Sequence, residues 1–216
     1  MVKLYAHPFS SYCWKALIAL YENATPFETR FVEDAGAMDE LAALWPLKRF
    51  PLLVDGDRTV MEATAIIEHL AVHQPGSVAL MPDDPAAAVE VRMMDRVFDN
   101  YVMTPQGRIV YDALRPETDR DSYGVQEQRR ALDQVYVWLN TRMAGREWAT
   151  DHGFSLADCA AAPSLFYADW THAIPAELEH LRAYRARLLA RPSVVRCVDD
   201  ARRFRHYFPL GAPDRD

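Results

Sequence analysis

Nothing after Met61 in this chain of 216 residues reads as a β-strand, and that restricts the architectures open to it. Before that point, strand and helix rhythms trade places. Val2, Leu4 and Ala6 alternate with Lys3 and Tyr5, the period of a strand with two faces. Pro8 ends it, Ser10 or Ser11 can cap a helix, and Cys13, Leu17, Leu20 and Tyr21 follow at helical spacing. Phe27, Thr29 and Phe31 alternate again after Pro26, and Met38 to Leu44 has a helical pattern. Leu52-Leu53-Val54, the turn Asp55-Gly56 and Thr59-Val60-Met61 make a hairpin; Ala65, Ile66, Leu70 and Ala71 then restart a helix. Pro75 to Pro85 is rich in Pro, Gly, Asp and Ser and reads as a linker. Helices are then expected over Val89–Leu114, Val125–Met143, Ser155–Tyr167, Leu178–Leu189 and Ser193–Phe204. An α/β domain followed by an all-α domain is the expectation.

Half of the residues are hydrophobic, enough for a sizeable core without disulfides or metals. The net charge of −7 argues against a nucleic-acid partner, which needs a clustered positive field, and against an anionic membrane surface. No apolar run approaches the roughly 20 residues that span a bilayer. Met1 to Tyr5 reads as a strand and not a signal peptide, and three scattered cysteines form no disulfide framework. A reducing, cytoplasmic setting is expected.

Three places in the first domain carry chemistry. Ser10 and Ser11 stand at a strand-to-helix junction, where unpaired N–H groups and the helix dipole favour an anion such as a thiolate. Ordinary helix capping accounts for both serines and is the commoner use of such residues. Phe50-Pro51 opens a strand; a cis bond there turns the backbone of Phe50 outward to meet an extended peptide, although strand-edge prolines are common. Glu62 precedes a helix, so its carboxylate can meet an ammonium while the N–H groups of Ala63 and Thr64 meet a carboxylate. In the second domain, Ser155 with Asp158 has the form of a capping box, with Phe154 and Cys159 as the staple, and reads as a folding signal. His69 and His73 have metal-site spacing but no third ligand, so no metal is expected. Arg202 to His206 suits the C-terminal end of the last helix.

In this order the residues resemble the soluble glutathione transferases over nearly the whole chain. Ser10-Ser11-Tyr12-Cys13-Trp14-Lys15 is similar to the serine-type motif of the zeta class, Ser-Ser-Cys-x-Trp-Arg, and to those of the theta and tau classes. The resemblance implies a thioredoxin-like, glutathione-binding domain over residues 1–78 and a helical bundle over 87–216 that walls an electrophile site. It puts Ser10 in the place of the catalytic serine, with Ser11 as its competitor. Phe50-Pro51 takes the place of the pair that meets the cysteinyl backbone, and Glu62-Ala63 that of the pair that holds the γ-glutamyl end. Two departures stand out. Ala63 lacks the usual hydroxyl, which Thr64 would have to replace, and Tyr12 stands where zeta-class isomerases carry cysteine. Cys13 offers thiol-transfer chemistry as an alternative to inert packing.

By helical position Tyr101, Gln106, Arg108 and Tyr111 are expected near a small hydrophobic electrophile, with Met103 adapting to its shape. The family further implies glutathione as co-substrate, a homodimer and a detoxifying transferase. A non-enzymatic glutathione- or partner-binding protein is the alternative. A glutathione-dependent isomerase or dehalogenase would use the same residues.

Overall fold

A computed structural model of the chain describes all residues, Met1–Asp216. Four strands form one mixed sheet in the order β2-β1-β3-β4. β1 (Val2–Ala6) pairs parallel with β2 (Phe27–Phe31), Val2 opposite Phe27. β3 (Leu52–Asp55) runs antiparallel to β1 and turns back at Gly56 into β4 (Arg58–Met61). Gly56 sits at a φ of 62°, a conformation that costs glycine nothing. Helices α1 (Ser11–Glu22), α2 (Ala37–Leu44) and α3 (Ala63–His73) complete this thioredoxin-like layer. Leu4, Ile18, Leu53 and Ile66 are buried between sheet and helices, as the period-2 and helical spacings require.

After residue 84 every element is helical: α4 (Pro85–Val97), α5 (Thr104–Ala113), α6 (Ser122–Met143), α7 (Leu156–Thr171), α8 (Glu179–Leu189) and α9 (Pro192–Ala201). Arg202–Tyr207 adds a final 3-10 turn. α7 is buried on every face and packs against α1, α4 and α8, which makes it the axis of the molecule. Such a helix shows no amphipathic stripe because it has no solvent side.

The long helix expected over 89–114 differs in one respect. Phe98–Met103 is a π-helical segment joining α4 to α5. Pro105 in the first turn of α5 lacks the N–H that a regular helix would donate there. The widened turn takes up that fault, and the Thr104 hydroxyl donates to the carbonyl of Asp99 at 2.9 Å. No helix in the chain is long and apolar enough to cross a membrane.

Candidate functional site

The loop from β1 into α1 is held from three sides. Phe9 N–H donates to His7 Nδ1 at 3.0 Å, and His7 Nε2 meets Glu33 at 3.1 Å. The Trp14 indole donates to the carbonyl of Pro8 at 2.5 Å, and the Tyr167 hydroxyl donates to that of Phe9 at 2.8 Å. Burial lowers the pKa of His7, which keeps its ring neutral and Nδ1 an acceptor. Ser10 is therefore fixed as the residue capping α1, its Oγ accepting weakly from Cys13 N–H at 3.4 Å. The same hydroxyl also lies against the Cys13 thiol. Ser11 lies one position on, in the first turn, and its hydroxyl makes no hydrogen bond within the chain. The N–H groups of Ser11 and Tyr12 have no acceptor within the helix, as the first turn dictates.

Beside this turn stand the other two features. The Phe50–Pro51 bond is cis, and no backbone hydrogen bond within the chain uses the N–H or C=O of Phe50. Glu62 caps α3 at a φ of 68°, in the left-handed region, with its carboxylate exposed and unpaired. A non-glycine residue there stores on the order of 1–3 kcal/mol of strain, which surrounding structure must hold in place. Ala63 is buried at the first position of α3 and has no hydroxyl to offer.

Thr64 corrects the expectation that its hydroxyl stands in for the missing one. Its Oγ1 accepts from Lys15 Nζ at 2.8 Å and from Arg96 at 2.6 Å, and donates to Asp95 at 2.9 Å. It belongs to a buried network between the domains and does not line the cleft.

Ser10, Ser11, Phe50, Pro51, Glu62 and Ala63 border one cleft of about 720 Å³ between the domains. Its opposite wall comes from Met103, Gln106, Arg108, Val110 and Tyr111 on the π segment and α5, with Tyr167 and Phe208 behind. Tyr101 is not part of that wall; it is 60% exposed and points elsewhere from the π segment. Gln106 lines the cleft but is buried and donates to Thr171 at 3.3 Å. Tyr12 also faces the cleft, its phenol pushed up to about 12 by burial and then by the Asp99 carboxylate, so it remains a hydrogen-bond donor. Lys48 and Arg49 escaped the sequence reading. Both are exposed, both line the first wall, and neither has an acidic partner. Only a charge count within the cleft brings them out.

Cys13 is fully buried and accepts from His7 N–H at 3.5 Å; burial pushes its thiol up to about 11. At pH 7 the thiolate is then about one part in ten thousand. Alkylation of the native chain by iodoacetamide is expected to leave Cys13, Cys159 and Cys197 unmodified, because all three are buried. Peptide mass spectrometry checks this; labelling of Cys13 within minutes would restore the thiol-transfer alternative. His69 binds Asp55 at 2.9 Å, and no cluster of three His, Cys, Asp or Glu side chains is placed to hold a metal.

Two family descriptions match the chain: glutathione S-transferase, N-terminal domain over residues 4–77, and glutathione S-transferase, C-terminal domain over 73–192. Glutathione S-transferase F14 of Arabidopsis thaliana is 28% identical over 151 residues, 66% of this chain and 59% of that protein. FtsZ-localized protein A of Caulobacter vibrioides is 27% identical, with 81% of each chain covered. Among solved structures, a glutathione S-transferase from Methylobacillus flagellatus with glutathione bound has a TM-score of 0.82. It is 23% identical, over 91% of this chain and 98% of that one.

Proposed function

This chain belongs to the glutathione S-transferase family, and we propose that it binds glutathione on the first wall of the cleft and delivers the thiolate to an electrophile on the second. The observation that carries this reading is the convergence of Ser10, Phe50 and Glu62-Ala63 on one cleft. Each suits a different part of one tripeptide. The helix N-terminus at Ser10 suits the sulfur, and the free backbone of Phe50 suits the cysteinyl unit. The Glu62 carboxylate with the N–H groups of Ala63 and Thr64 suits the γ-glutamyl ammonium and carboxylate. Lys48 and Arg49 suit the glycyl carboxylate. The glutathione-binding unit then spans residues 1–78 and the electrophile wall lies within 87–216. Exposed Val72 on α3 and Val89 and Met93 on α4 suit contact with a second copy in a homodimer.

A thiol with a pKa near 8.5 is only about 3% ionised at pH 7. Donation from the Ser10 hydroxyl, together with the dipole of α1, favours the thiolate; its proton passes to solvent. The sulfur then forms a bond to the electrophilic carbon while the leaving group departs with its electron pair. A charge-assisted hydrogen bond contributes about 1.5–3 kcal/mol, so Ser10→Ala is expected to raise the apparent thiolate pKa by about one to two pH units. Ultraviolet titration of bound glutathione measures it. An unchanged value would remove Ser10 from this role and direct the same test to Ser11.

One observation favours a second reading, a binding protein without turnover. With Ala63 lacking a hydroxyl and Thr64 committed to the interdomain network, the γ-glutamyl carboxylate meets backbone N–H groups alone. Retention on immobilised glutathione without conversion of chloro-dinitrobenzene or other electrophiles would favour it over the transferase.

A further inference from the structure

Of the 24 lysines and arginines, all but three have a partner in the chain: a carboxylate, carbonyl, hydroxyl, imidazole or aromatic ring. The three left over are Lys48, Arg49 and Arg108, and every one of them lines the same cleft. Glu62 is the only acidic residue among the lining. A chain of net charge −7 thus keeps a cleft with a surplus of positive charge.

By net charge the bound thiolate balances that surplus, but by position glutathione does not use all three cations. It brings two carboxylates, one ammonium and a sulfur that sits at the start of α1. Glu62 and the start of α3 serve the γ-glutamyl end, and Lys48 with Arg49 serves the glycyl carboxylate on the same wall. Arg108 stands on α5, across the cleft, among Met103, Val110, Leu114 and Tyr167. On its other side Arg108 borders a polar groove with Asp112 and Asp121, but it forms an ion pair with neither, and one oxygen of each is already bonded. Asp112 accepts from Arg115 at 3.3 Å and from Asp121 N–H at 2.8 Å, and Asp121 itself accepts from Gly124 N–H at 2.8 Å. A guanidinium free of partners beside apolar surface is suited to a carboxylate, which it can meet with two parallel hydrogen bonds.

We propose that the electrophile taken by this chain combines an apolar, aromatic-sized body with a carboxylate, and that Arg108 is the residue that recognises the carboxylate. The proposal rests on the glutathione reading above. Under it, Met103, Val110 and Leu114 cover the apolar body, while Arg108 selects against neutral electrophiles of the same shape.

The test compares two inert conjugates, S-benzylglutathione and S-(carboxybenzyl)glutathione, by titration calorimetry on the full chain. Wild type is expected to bind the carboxylated conjugate about tenfold more tightly, in line with one charge-assisted contact in a half-open cleft. Arg108→Gln is expected to bring that ratio to about one, and Arg108→Lys to keep part of it. The ratio should also shrink as salt rises. Equal affinities in wild type, or a ratio that survives Arg108→Gln, would overturn the assignment while leaving glutathione binding intact. Arg115→Gln serves as the control. A loss of the ratio there equal to that in Arg108→Gln would mean a diffuse field and would also overturn it. Failure of both conjugates to bind would instead overturn the glutathione reading, and this proposal with it. Turnover of chloro-dinitrobenzene against chloro-dinitrobenzoate supplies the kinetic counterpart, the preference appearing in KM.

Discussion

Lys15→Met is expected to destabilise the folded chain by about 3–5 kcal/mol, the cost of removing one partner from a buried ion cluster. Lys15 lies on α1 with its side chain 2% exposed, and its ammonium meets Thr64, Asp99 at 2.9 Å, and Asp95, which is wholly buried. A methionine fills the same space but leaves two buried carboxylates against each other. Arg96 also contacts both, yet it is half exposed and cannot neutralise two charges alone. For a chain of this size the melting temperature should fall by about 10 °C or more. Urea unfolding followed by circular dichroism measures the free energy; a loss under about 1 kcal/mol would show that the cluster contributes little. Adding Asp95→Asn in the Lys15→Met background should return part of the loss, since the two sites share one interaction.

The deficit should also depend on pH, with a definite sign. Burial already raises the carboxyl of Asp99 above the usual range, so the folded state holds that proton more tightly than the unfolded one. Stability from such a group is present below the unfolded pKa and is lost as pH rises through the folded value. Removing Lys15 raises the folded value further. Lys15→Met should therefore recover toward wild type as the solution is acidified from neutral, and lose most near and above neutrality.

Asp158→Ala should be as damaging, for a different reason. Its carboxylate accepts the N–H and hydroxyl of Ser155 at 3.0 and 3.1 Å, the N–H of Ala149 at 2.9 Å and the hydroxyl of Tyr184 at 2.6 Å. One side chain thus ties the start of α7, the loop before it and α8. Alanine leaves four buried donors without an acceptor beside the axis of the molecule, a cost of about 3–5 kcal/mol after partial relaxation. Asp158→Asn keeps the shape but turns an N–H group toward donors, so it should recover less than half of that. Thermal unfolding checks both variants. A change within about 1 kcal/mol for the alanine variant would show that water replaces the carboxylate.

These two residues divide along the line of what a sequence reveals. Ser155 and Asp158 are three positions apart, and the capping box is a local pattern that any helix start displays. The same holds for the alternation of Val2 to Ala6, for Ser10 as a cap, for the Asp55-Gly56 turn, and for Phe50-Pro51, whose cis bond the structure contains. The π segment escaped because its cause is a proline whose effect on the helix depends on neighbours, and an unbroken run was expected over 89–114. Thr64 escaped because the fate of its hydroxyl is decided by Lys15 and Asp95, far from it along the chain. Tyr101 lies in the π segment and Arg108 seven positions on in α5, and only the tertiary structure shows that the second borders the cleft and the first does not.

The amino-acid sequence by itself determined the strands, the order of strands and helices, the caps at Ser10 and Ser155 and the set of residues that mark the family, because each of these depends on residues within a turn or two of one another. The tertiary structure alone decided which charges are satisfied. Lys15 meets carboxylates about eighty positions away, and Lys48, Arg49 and Arg108 meet none. A pairing exists only where the fold brings two side chains within a few ångströms, and a cation left without one becomes visible only after every other cation has found its partner.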